Sequence, residues 1–158
     1  MNLNQFADIQ FFSDLNEQQS QILTGIMHEK VLTPGATIFT QGERAFSCYF
    51  ILEGTVHVQV KSDDANQFRK VATLRKGELL GELALIDGGL RSATCKVGSE
   101  KTILAELRRD DFEQILHAGN AFAFKLLDNI SVALVDRLRQ TSRQLMQIVN
   151  ASNNETSI

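Results

Sequence analysis

Between Val31 and Leu107 no apolar run is longer than a short strand, because glycine or a polar turn cuts the chain at brief, even intervals. That punctuation is what most restricts the fold: a helix needs ten or more residues of 3.6-residue periodicity, a strand only four to eight. Val31-Leu32 gives way to the turn Thr33-Pro34-Gly35, and Thr37-Ile38-Phe39 to Gln41-Gly42-Glu43. Cys48 to Glu53 is a nearly continuous apolar strand stopped by Gly54. Thr55 to Val60 alternates, with Val56, Val58 and Val60 on one face, which assigns His57 to the solvent side. Polar Lys61 to Asn66 reads as a hairpin loop, after which Phe68, Val71 and Leu74 resume strand character before Lys76-Gly77. Ala93, Cys95 and Val97 alternate again, and Thr102 to Leu107 forms a last strand.

Helices frame these strands. Asn16 is placed to cap a helix with Gln19 at the capping-box position, and Ile22, Leu23, Ile26 and Met27 follow at helical spacing as its buried face. Asp110 and Glu113 form a second capping signature ahead of Phe112, Ile115 and Leu116. A further helical run extends from about Ala121 to Val149 with no proline or glycine inside it. The sum predicts an α+β, mainly β, architecture: an antiparallel, jelly-roll-like β-roll between an N-terminal helix and a long C-terminal helix. One domain is expected over 1–150, helical over 1–30, rolled over 31–109 and helical over 110–150, with a frayed polar tail at 151–158.

At 158 residues, 43% hydrophobic and 22% charged, the chain is an ordinary globular size and composition, able to bury roughly 70% of its unfolded surface. No apolar run is long enough to cross a bilayer, so no membrane partner is expected, and Met1 to Asp8 does not read as a secretory signal. Cys48 and Cys95 both lie in strand-like runs rather than a Cys-x-x-Cys pair, which fits buried free thiols in a reducing, cytoplasmic setting. A net charge of −3 argues against nucleic acid as a partner through a general electrostatic footprint.

The residues with the most chemistry stand at Gly81-Glu82-Leu83-Ala84-Leu85-Ile86-Asp87-Gly88-Gly89-Leu90-Arg91-Ser92-Ala93-Thr94. A short apolar helical turn, Leu83 to Ile86, opens on a glycine and an acid and closes on two glycines. Amide groups at the start of a helical turn lack internal partners and suit an anion such as phosphate. Gly81 lets backbone approach closely, while Gly88 and Gly89 permit the positive φ that folds Arg91 back toward the same spot. Arg91 can then donate a forked pair of hydrogen bonds to phosphate oxygens, and Ser92 one more. Glu82 accepts only, so its natural partner is a donor beside the anion, such as a sugar hydroxyl. The plainer alternative is that Glu82 and Arg91 pair across a surface turn, a contact contributing under about 1 kcal/mol.

Gly-Glu-Leu-Ala-Leu and Arg-Ser-Ala-Thr at this separation resemble the phosphate-binding cassette of the cyclic nucleotide-binding domain, found in catabolite activator proteins and protein kinase A regulatory subunits. The run from Pro34-Gly35 through Gly42-Glu43 to Tyr49-Phe50-Ile51-Leu52-Glu53-Gly54 resembles the start of that family's β-roll. The resemblance implies a phosphate-binding helix inside the roll, with Glu82 on the ribose 2′-hydroxyl and Arg91 on the cyclic phosphate. Gly81, Leu83, Ala84, Ser92 and Ala93 would complete the cassette, and Val71 would pack on the base. Leu90 stands where many members carry proline.

In the last helical run, Phe124, Leu127, Ser131, Leu134, Leu138, Thr141, Leu145 and Ile148 recur at alternating three- and four-residue spacing, a coiled-coil kind of seam of about three heptads. Thr141 interrupts it with a hydroxyl that can bond back to its own helix or meet a ligand. Arg137-Leu138-Arg139-Gln140-Thr141-Ser142 resembles the family's C-terminal helix, where two subunits pair. The resemblance implies that Thr141 meets the base in its own subunit and Ser142 the base held by a partner. A homodimer along this helix and a cAMP ligand are therefore expected. A hydroxyl directly after the cassette arginine, here Ser92, is also what cGMP-selective members use, so the two nucleotides stand side by side. Arg137, Arg139 and Arg143 read as a solvated basic strip.

No helix-turn-helix follows the long helix, so promoter binding by this chain alone is not expected, and the downstream protein is unknown. Enzyme motifs such as Gly-x-Ser-x-Gly or a Walker loop are missing. His28, His57 and His117 are scattered, which disfavours a metal-dependent cupin and leaves no expected metal. The expectation is a non-enzymatic cyclic nucleotide sensor, with a dimeric scaffold that has lost its ligand as the alternative.

Overall fold

The computed structural model describes residues 1–61, 67–119 and 121–155. The chain folds as two four-stranded antiparallel sheets. Among the described residues eight strands run in order: β1 His28–Leu32, β2 Thr37–Phe39, β3 Ser47–Glu53, β4 Thr55–Lys61, β5 Phe68–Arg75, β6 Leu79–Leu80, β7 Thr94–Val97 and β8 Thr102–Arg108. One sheet is ordered β1-β8-β3-β6, the other β2-β7-β4-β5. The helices are α1 Glu17–Ile26, the single turn α2 Leu83–Ile86, α3 Arg109–His117 and α4 Ala121–Glu155. This is the mainly antiparallel roll with helical ends that the glycine punctuation implied. Residues 62–66 of the expected hairpin loop, and 156–158 of the expected tail, lie outside the described residues.

β3 explains why one strand reads as almost wholly apolar. Its alternate residues Tyr49 and Ile51 face the other sheet, in a core with Phe39, Val56, Leu74, Leu80, Cys95 and Leu104. Cys48, Phe50 and Leu52 face the helices, in a second core with Leu23, Leu107, Phe112, Leu126 and Ile130. A strand covered on both faces loses the alternation that a half-exposed strand shows. β4 has only one covered face: Val56 is fully buried, and half-buried His57 stands opposite with Nδ1 3.2 Å from Thr73 Oγ1.

The N-terminal residues do more than the sequence suggested. Two 3₁₀ turns, Leu3–Phe6 and Gln10–Phe12, bring Phe6, Phe11 and Phe12 onto Phe50, with ring centroids 5.0 and 5.5 Å from Phe50 for Phe11 and Phe12. The Asn16 capping box forms as expected, with Gln19 N donating to Asn16 Oδ1 at 2.8 Å. Ile22 does not share the buried face, because α1 packs through Leu23 and leaves Ile22 exposed.

The second capping signature does not operate. α3 begins at Arg109 with Arg108 as its cap residue and no side-chain cap, because the helix follows directly from β8. The Arg109 amide is satisfied by the carbonyl of Phe46 at 2.8 Å. Asp110 lies inside the first turn, where a negative charge complements the helix dipole, and Glu113 pairs with Arg109 at 2.6 Å. α4 extends past Val149 through Glu155. It docks by Phe122, Leu126 and Ile130. Phe124, Leu138, Thr141 and Leu145 of the expected seam point away from this core and are exposed.

Candidate functional site

The loop between β2 and β3 holds the segment after α2 by its backbone. Gly42 N donates to Arg91 O at 2.9 Å, Arg91 N to Glu43 O at 2.8 Å and Ala45 N to Gly89 O at 3.0 Å. The turn that delivers Arg91 needs a positive φ at Gly88 (58°), whereas Gly89 is not among the positive-φ glycines, so one glycine suffices where two were expected. A Cβ on Gly88 would collide with Arg109 Nη1.

Arg91 is turned inward and only 7% exposed. Its Nη2 donates to Ser47 O at 2.7 Å and Nη1 to Gly81 O at 3.3 Å. Gly81 has φ 73°, and a Cβ there would collide with Arg91 Nη1, so a residue without a side chain is required on both counts. The flat guanidinium lies over Phe39, with Cζ 4.0 Å from the ring centroid. Nε is buried without an acceptor, and among the described residues no carboxylate pairs with Arg91. Burial pulls this guanidinium below its usual pKa, with Tyr49, Cys48, Cys95 and Glu43 acting the other way. A desolvated cation without a counterion is costly, and an entering anion would offset that cost.

Glu82 is 3% exposed and does not pair with Arg91 across a surface turn. Its carboxylate meets Arg137 of α4, whose Nη1 lies 2.9 Å from Oε1 and 3.0 Å from Oε2. Arg137 Nη2 also donates to Leu79 O at 2.6 Å. The basic strip is thus not uniformly solvated: Arg137 reaches into the roll, while exposed Arg139 pairs with Asp136 at 3.5 Å.

Gly81, Glu82, Leu83, Ala84, Arg91, Ser92 and Ala93 line one cavity of about 100 Å³, closed on the helix side by Arg137. Its apolar wall is Val58, Leu74, Phe39 and Cys95. Burial pushes the Cys95 thiol up to about 12, against the pull of Arg137 and Arg91, so it lines the wall as a neutral group. Val71 is exposed on β5 outside this cavity. Thr141 and Ser142, about one turn beyond Arg137, are exposed on α4 and do not line it either. Arg137 and Phe39 are among the lining residues that were not anticipated. Arg137 had one signal, since it stands four residues before Thr141 on the same helix face. Phe39 had none.

A larger groove of about 430 Å³ lies across Arg137, between Phe11, Leu79 and α4, but Asp14, Glu78, Asp128 and Asp136 line it and suit no anion. Among the described residues no group of three or more His, Cys, Asp or Glu is gathered to hold a metal, and no helix is long and apolar enough to cross a membrane.

With this geometry in view, the family model of the cyclic nucleotide-binding domain matches residues 29–118, more than half of the sequence. The chain belongs to the cyclic nucleotide-binding domain family. It is 32% identical over 114 residues to the cAMP-activated global transcriptional regulator CRP of Pasteurella multocida, covering 72% of this chain and 52% of that protein. A cGMP-dependent protein kinase of Eimeria tenella is 30% identical over 110 residues, 70% of this chain and 10% of the kinase. The chain therefore spans about half or less of the length of these relatives. A solved cyclic nucleotide-binding domain from Methylobacillus flagellatus superposes with a TM-score of 0.80 at 26% identity, covering 92% of this chain and 80% of that one. The family is a cyclic nucleotide-binding regulatory domain, typically non-catalytic.

Proposed function

We propose that this chain is a cyclic nucleotide sensor that takes cAMP into the cavity around Arg91 and signals by moving α4. The observation that carries the reading is Arg91 itself, a buried cation with no carboxylate paired to it among the described residues and an Nε without an acceptor. The cyclic phosphate would supply the missing charge and acceptors, with Ser92 and the Gly81–Ala84 turn around it and the ribose 2′-hydroxyl donating to Glu82.

At about 100 Å³ the cavity is below the roughly 300–1,000 Å³ of typical ligand pockets. Arg137 holds the carboxylate that the ribose would use, so ligand entry and the position of α4 compete for one group. A ligand that contacts one helix position better than another shifts the equilibrium by that difference. In the shifted position Thr141 would approach the base, and Ser142 the base of a second subunit. The exposed stripe Leu138, Leu145 and Met146 is the surface along which two copies would pair. On this reading the chain works in the cytoplasm and passes the helix movement to a partner protein.

Ser92 lines the cavity beside Arg91 and supports cGMP as the second reading. Calorimetric titration of the purified chain with cAMP and cGMP in parallel is the test. Saturable binding with cAMP tighter is expected; tighter cGMP reverses the selectivity, and no heat with either leaves a dimeric scaffold.

A further inference from the structure

We infer that Phe39 is the positioning residue of the anion site, holding the Arg91 guanidinium by its flat face so that the charge is in place before any ligand arrives. This rests on the reading of Arg91 as the phosphate group's partner. A free arginine carries side-chain rotamer entropy, and a ligand that must order it spends affinity doing so. Here the order is already present. Two in-plane donors are taken by Ser47 O and Gly81 O, and the π-face by Phe39 with Cζ 4.0 Å from the ring centroid. The negative face of the Phe39 ring also compensates the unpaired cation along the normal of its plane, at closer range than the Tyr49 ring 5.9 Å away.

Phe39 is itself fixed. Its ring stacks on Tyr49, centroids 6.1 Å apart and planes 26° apart. Tyr49 is pinned at its hydroxyl, which accepts from Ser47 Oγ at 3.0 Å and donates to Glu106 Oε1 at 3.1 Å. Ser47 therefore serves the guanidinium through its carbonyl and Tyr49 through its hydroxyl, and the contacts Arg91–Phe39–Tyr49–Ser47–Arg91 close on themselves. An aliphatic residue at position 39 would fill the core but offer no ring face.

The test uses the full chain with cAMP as probe and the Arg91 Nε–Hε resonance as a ligand-independent readout. In unliganded wild type that resonance is expected to be displaced by the ring current of Phe39. Phe39→Leu is expected to return it toward the shift of a free arginine and to weaken cAMP about 3- to 30-fold, the span of cation–π contributions. Phe39→Tyr, which keeps the ring, is expected to retain the displacement and most of the affinity, a rescue that apolar filling alone would not produce. An undisplaced Arg91 resonance in wild type overturns the proposal even if no substitution folds. So does Phe39→Leu binding cAMP as tightly as wild type. Wild type that binds neither nucleotide removes the sensor reading, and the resonance then decides the positioning role by itself.

Discussion

Arg91 and Glu82 carry opposite charges, are both buried and stand in one cavity, yet neither neutralises the other. Arg91 faces backbone carbonyls and a ring; Glu82 faces an arginine from a distant helix. On the proposed reading each would take a different part of one ligand, Glu82 in competition with Arg137. Arg91→Ala is expected to weaken cAMP by about 1.5 to 3 kcal/mol, roughly 10- to 100-fold, as for loss of a hydrogen bond to a charged group. Calorimetry reads the loss, and unchanged affinity would remove Arg91 from the phosphate. Glu82→Ala is expected to weaken cAMP more than it weakens the 2′-deoxy analogue; equal losses would remove the ribose contact. Outside the cavity, burial pushes the Glu106 carboxyl up, but Lys30 at 3.1 Å, Ser47 and Tyr49 outweigh it and hold it below its usual range. It stays an acceptor for the Tyr49 hydroxyl that braces Phe39.

At the scale of elements, α4 has two halves with different physics. The first half is held by Phe122, Leu126 and Ile130 in the core and by the Arg137 contacts to Glu82 and Leu79 O. Beyond Arg137 the described side chains are exposed, including Leu138 at 67% and Leu145 at 60%. Exposed apolar residues at seam spacing, such as Leu138 and Leu145, suit a second copy of the same helix. Leu138→Glu is accordingly expected to leave the fold intact, since the residue is outside the core, while halving the mass measured by light scattering at tens of micromolar. A mass that is the same in wild type and variant would withdraw the helix pairing.

For the whole molecule, the sheet β1-β8-β3-β6 is the shared wall of two cores, with the Arg91 cavity on one side and the helices on the other. Binding to the folded chain alone stabilises it by mass action, about 2.7 kcal/mol at a hundredfold excess of ligand over Kd. For a domain of this size that corresponds to a rise in Tm of roughly 5–11 °C. Thermal unfolding with saturating cAMP reads it directly, and an unmoved Tm would contradict binding to the native state.

Strand positions, glycine turns, the Asn16 cap and the cassette segment were legible in the residues, because each is set by neighbours within a few positions: periodicity, φ freedom and short hydrogen-bond loops. The continuous apolar run of β3 was legible as a strand, and its burial on both faces emerged from the two cores. What the sequence could not carry is which distant groups meet. Arg137 finds Glu82 across 55 residues, and Phe39 lies under Arg91 only because the two sheets close over one core. Ile22 stays exposed and the first amide of α3 donates to the Phe46 carbonyl for the same reason. Local pattern specifies which face of an element is apolar; only packing in three dimensions decides what that face, and each charge beside it, is set against.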